Sequence, residues 1–165
     1  MNPHLLLILL KRDLQAFASE LELFSDEAAI WKTLPGVSNS AGNLTLHVCG
    51  NLQHFVGAML GNTGYVRNRP AEFESRDLPR TDVLAEVEKT VGVLETVLPG
   101  LSAETLSATY PDVLGGLRLP TDLFLLHLST HLSLHLGQVG YLRRILTGDG
   151  APTRPAVIPT LPNPA

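Results

Sequence analysis

The stretch 121-TDLFLLHLSTHLSLHLGQVGYLRRILTG-148 decides the fold. Thr121-Asp122 is a helix start signal and Gly148 a stop signal, and the leucine-rich run between them contains no proline. The pattern predicts a long helix to about Leu146, with Arg143 and Arg144 near its negative end. His127, His131 and His135 lie on it at four-residue steps. Each helical residue turns the chain by ~100°, so side chains four apart project almost in line.

Working back along the chain, Leu7, Leu10, Leu14, Phe17, Leu21 and Phe24 alternate steps of three and four, the apolar stripe of a first helix. That helix gives way around Ser25-Asp26, and a short helical stretch through Trp31 ends at Leu34-Pro35-Gly36. A second helix is expected from about Ser38, with Ser or Asn caps, to near Gly61. The segment 62-NTGYVRNRPAEFESRDLPR-80 reads as a long polar connection. Thr81-Asp82 then opens a third helix with the stripe Leu84, Val87, Val91, Leu94 and Leu98, stopped by Pro99-Gly100. From Leu101 to Pro120 the pattern is mixed, with one short helical turn after Ser102 and the remainder irregular or extended. The expected class is therefore all-α, a four-helix bundle over residues 1–148 with a short irregular or extended segment between the third and fourth helices. Five prolines in residues 149–165 make a C-terminal tail that is disordered or laid across the surface.

Composition agrees with packed helices. Of 165 residues, 44% are hydrophobic, 17% charged and only 5% aromatic. A net charge of −4 without a basic run argues against a nucleic-acid partner. The single cysteine, Cys49, excludes an internal disulfide framework and suits a reducing cytoplasm. The run Leu5 to Leu10 is too short for a signal sequence or a membrane span and is followed at once by Lys11-Arg12-Asp13. Leu5, Leu6, Ile8 and Leu9 fall off the main stripe of the first helix, and together with surplus leucines on the fourth they point to a homodimer contact.

The histidines carry the chemistry. One histidine on an apolar face is usually a core residue bonded to a carbonyl. Three on one stripe compete for hydrogen-bond partners, and a metal relieves that by taking one nitrogen of each ring. His131 and His135 form a two-pronged grip, with His127 one turn earlier and Gln138 on the same face. On the second helix His47, Asn51 and His54 share a face, so either His47 or His54 could supply a third imidazole. Cys49 points away from His47 and reads as a small core residue. There is no His-Glu-x-x-His and no paired Glu-x-x-His, which sets aside zincin and ferritin-type sites.

Taken together, GNLTLHVCGNLQHFVG and HLSTHLSLHLGQVGYLRRIL resemble the DinB/YfiT-like superfamily of metalloenzymes, in its small single-domain branch, and Arg67, Arg69, Glu72 and Phe73 in VRNRPAEF fit a further family segment. The resemblance implies a four-helix bundle, commonly dimeric, holding one divalent metal (Zn, Ni, Mn or Fe) on His47, His131 and His135. It leaves His54 and His127 as second-sphere or core residues. It also implies use of a low-molecular-weight thiol (bacillithiol, mycothiol or glutathione) in transfer or isomerisation on a small electrophile. The alternative is a non-catalytic helical dimer with a structural metal or a small-ligand site. Asn51 and Gln138 either pack as polar residues or orient a ligand imidazole. Arg67 and Arg69 either meet a substrate carboxylate or anchor their loop through Glu72 or Glu74, and the anchoring reading is preferred.

Overall fold

In the computed structural model, residues 1–113, 115–151, 153 and 161 are described. The chain is mostly helical, and among the described residues the only β-type pairing is one isolated bridge between Thr109 and Pro120. Helix α1 spans Pro3–Glu22, with Asn2 accepting the His4 amide at its start. Its expected stripe is buried at Leu10, Leu14, Phe17, Leu21 and Phe24, but at its start Leu6, expected off the stripe, enters the core in place of Leu7, which is half-buried. After the 3₁₀ turn Glu27–Trp31 comes α2, Ala41–Leu52, capped by Ser40. This helix does not run on regularly to Gly61. It passes through a π-helical segment, Gln53–Ala58, before a last turn at Met59–Gly61.

The segment read as a long polar connection contains a short helix, α3, Arg69–Glu74. Asn68 caps it and Pro70 sits in its first turn, a local start signal that the polarity of the segment conceals. Helix α4, Arg80–Val97, begins one residue before Thr81 because its cap is not local: the Glu27 carboxylate accepts the Arg80 amide from across the fold. A short α5, Ala103–Ser107, follows Ser102 as its cap. The chain then doubles back on itself. Tyr110 donates its amide to Leu119, and Thr121 donates its amide to Ala108. Helix α6, Thr121–Thr147, ends on Gly148 in the left-handed region (φ 69°), where glycine carries no steric penalty. Thr121 does not cap this helix with its side chain. Its hydroxyl donates instead to the Ala108 carbonyl at 3.0 Å.

Cross-helix contacts set the directions. Ser133 bonds Asp13 and Arg143 bonds Glu20, so α1 and α6 run parallel. Arg80 reaches the Glu22 and Phe24 carbonyls while Lys11 pairs with Glu95, so α4 runs antiparallel to α1. Gln53 bonds Glu86 and Thr90, and Gly61 lies against Val97, so α2 and α4 share a direction. One core fills the space between these four, from Leu10 and Phe17 to Val48, Leu94, Leu128 and Leu132. No helix among the described residues is long and apolar enough to cross a membrane. The tail expected from Asp149 lies mostly outside the described residues. Its first part is held at Arg143, which donates to the Asp149 and Ala151 carbonyls.

Candidate metal centre

Antiparallel packing of α2 on α6 brings His47 opposite His131 and His135. One ring nitrogen from each lies within 4.8 Å of the others, and this is a group able to hold a metal ion. The Nε2 atoms of His47 and His131 are 3.4 Å apart, and those of His131 and His135 are 3.1 Å apart. Ligand nitrogens on a tetrahedral ion at zinc-like bond lengths would be separated by about 3.3 Å. Those two spacings therefore suit a shared cation.

The outward nitrogens explain why the inward ones are free to ligate. His47 Nδ1 is 2.9 Å from Glu72 Oε2, and His135 Nδ1 is 2.6 Å from Gln138 Oε1. An oxygen acceptor at Nδ1 holds the proton there and leaves the Nε2 lone pair pointing into the cluster. Charge is suppressed as well. Burial pushes the His131 pKa down to about 4, and the neighbouring His135 and His47 push the same way. Burial also lowers the pKa of His135, despite its bond to Gln138. Neutral imidazoles with converging lone pairs are the donor set a divalent cation requires.

Glu72 is the residue whose importance sequence reasoning missed. It was visible only as a loop anchor, yet it is buried against His47 and clasped by Arg67, with Nε to Oε1 at 2.6 Å and Nη2 to Oε2 at 2.8 Å. Burial alone would raise its pKa, but the hydrogen bonds from Arg67 and His47 outweigh that and hold it low, as a carboxylate. Arg67 Nη2 also lies 3.3 Å from His47 Nδ1, but the carboxylate between them accepts from both. The scaffold behind Glu72 is specific. Buried Asn43 donates to the Glu72 and Ser75 carbonyls at 3.0 Å each, which fastens α3 to the start of α2. Gly50 faces the carboxylate so closely that a Cβ there would collide with it.

The remaining sequence candidates are distributed around this core. Arg69 stacks its guanidinium 5.1 Å from the Phe73 ring, whose centre is 4.8 Å from that of His47. Asn51 is buried, and among the described residues its side chain makes no hydrogen bond. His54 lies outside the cluster, because it sits about two turns beyond His47 along the same helix. Its ring meets Phe55 edge-on, and among the described residues its buried Nδ1 has no partner. His127 is exposed, stacks on Phe124 and stands 6.1 Å from His131 between ring centres. Cys49 is fully buried, which pushes its thiol up to about 12 and keeps it out of thiolate chemistry.

No protein of curated function matches the chain. The family model of the DinB superfamily matches residues 9–139, a span that includes His47, Glu72, His131 and His135. By that match, over most of its length, the chain belongs to the DinB superfamily.

Proposed function

We propose that the protein is a divalent-metal-dependent enzyme of four-helix-bundle architecture that transfers a low-molecular-weight thiol to, or with it isomerises, a small electrophile. The observation that carries this reading is the convergence of three imidazoles, two with their outer nitrogens already engaged. A cation bound there lowers the pKa of a coordinating thiol and presents it as a thiolate. Three protein donors leave room for such a ligand, whereas a structural site takes four. Glu72 holds the His47 proton on Nδ1 and strengthens Nε2 as a donor. Arg67 spends its charge on Glu72, which favours the anchoring role over a substrate carboxylate. Gln138 orients His135, and Asn51, one turn beyond His47, is offered as a further polar group near the site.

The protein as purified is expected to carry about one Zn, Ni, Mn or Fe per chain. His131→Ala should lose that metal while keeping its helical circular dichroism. Stoichiometric metal in the variant would sink the assignment. A panel of bacillithiol, mycothiol and glutathione with a chromogenic aryl halide tests the reaction. No turnover by the fully loaded protein with any of the three would remove the enzymatic reading and leave a structural metal or a small-ligand module.

The same reading takes residues 1–148 as one domain followed by a tail, in the cytoplasm, acting as a homodimer. Leu5 on α1 and Leu123 and Leu126 on α6 are 60%, 51% and 50% exposed, at the same end of two parallel helices, and this patch supports a self-contact. Sedimentation should show a dimer that Leu123→Glu combined with Leu126→Glu converts to monomer. A monomeric parent protein would rule it out.

A further inference from the structure

A cavity of about 600 Å³ opens beside α6, within the range of small-molecule sites, and the metal chemistry makes no use of it. Leu34, Leu44, Leu134, Leu142 and Ile145 form most of its walls, Ser38, Asn39 and Tyr141 border it, and among the described residues no charged one lines it. A charged ligand would lose its hydration there without a counter-ion. The occupant that fits is neutral and mostly apolar.

Gln138 links the cavity to the histidine cluster. It lines the cavity, and its Oε1 stands 2.6 Å from His135 Nδ1. When His135 ligates through Nε2, Nδ1 must carry the proton, and Gln138 must present its oxygen to it. The amide is then locked in one orientation, and its NH₂ group is left as a donor facing away from His135. A ligand matching this cavity needs an apolar body and an acceptor without charge.

We infer that the cavity binds a neutral, carbonyl-bearing apolar molecule, with the Gln138 amide donating to its carbonyl oxygen. Only the locking of Gln138 rests on the metal reading; the cavity exists without it. Because the same amide serves His135 and the ligand, occupancy of the two sites is coupled, and each ligand tightens the other by the same factor.

Prodan, a neutral naphthyl ketone whose emission moves to the blue in apolar surroundings, is the probe. It is titrated into the full chain, metal-free and zinc-loaded. Saturable blue-shifted binding of one prodan per chain is expected, about threefold or more tighter with zinc bound. Gly137→Leu is the blocking variant. A Cβ at Gly137 meets no atom within 4 Å, and leucine favours the helix more than glycine does, so the variant folds and fills the cavity. It should weaken prodan binding at least about tenfold while zinc stoichiometry is unchanged. Gln138→Leu should bind prodan more weakly than the parent protein and lose the zinc dependence. Binding that ignores Gly137→Leu, or no binding with the groove covered by a second copy, overturns the site. Zinc bound with prodan affinity unchanged overturns the role of Gln138. Failure of zinc to bind, with prodan binding intact and sensitive to Gly137→Leu, removes the metal reading and leaves the cavity assignment standing.

Discussion

At the scale of single residues, Glu72 separates a cluster of histidines from a prepared ligand set. Its carboxylate fixes the His47 tautomer, Arg67 holds the carboxylate, and Gly50 leaves room for it. Glu72→Gln keeps the shape but removes the charge and turns one accepting oxygen into a donor. Zinc affinity should fall by about 10–100-fold, read by competition with a chromophoric chelator. Gly50→Ala should produce a similar loss while leaving every titrating residue in the sequence, because the added methyl displaces the Glu72 carboxylate, with a stability cost of about 1–3 kcal/mol. Unchanged affinity in both variants would mean that Glu72 only anchors α3. The histidine spacing on α6 was legible in the sequence, since a four-residue step has only one meaning on a helix. The role of Glu72 was not, because its partner His47 is 25 residues away and its acceptor geometry depends on where α3 docks.

At the scale of elements, the long helices were readable and their ends were less so. Periodic leucines announce α1, α4 and α6 directly. The π-helical segment that follows α2, Gln53–Ala58, left no such trace. The basic pair near the end of α6 also divides in a way periodicity does not show. Arg144 stays half-exposed, whereas Arg143 is fully buried, donating to Glu20 at 2.8 Å and to two carbonyls beyond the helix. Arg143 thus ties α1, α6 and the chain past Gly148 together. Arg143→Met strands the buried Glu20 carboxylate and should cost roughly 3–5 kcal/mol in urea denaturation. Adding Glu20→Leu should recover a large part of that, since an apolar pair of similar volume replaces the ions. Equal stability of the single variant and the parent would show that the pair contributes nothing.

At the scale of the whole molecule, the site makes stability depend on pH. His131 titrates at about 4 in the fold against an ordinary 6.5, and His135 is lowered too, so the unfolded chain takes up these protons first. Their contribution is complete above pH 6.5 and is lost as pH falls from there toward 4. Glu72, lowered below its ordinary 4.5, acts in the same direction at more acid pH. The metal-free protein should show a falling urea midpoint from pH 7.5 to pH 5, and His131→Leu should flatten the slope. A steeper slope in the variant would contradict the burial of a neutral imidazole. By itself the sequence determined that the chain is helical and that two histidines share a turn of one helix, because both follow from local periodicity. The tertiary structure alone decided that His47 meets them, that Glu72 and Arg67 stand behind it, and that Gln138 borders a cavity. Those contacts join residues far apart in the chain, and their distances are set by how whole helices pack rather than by any local spacing.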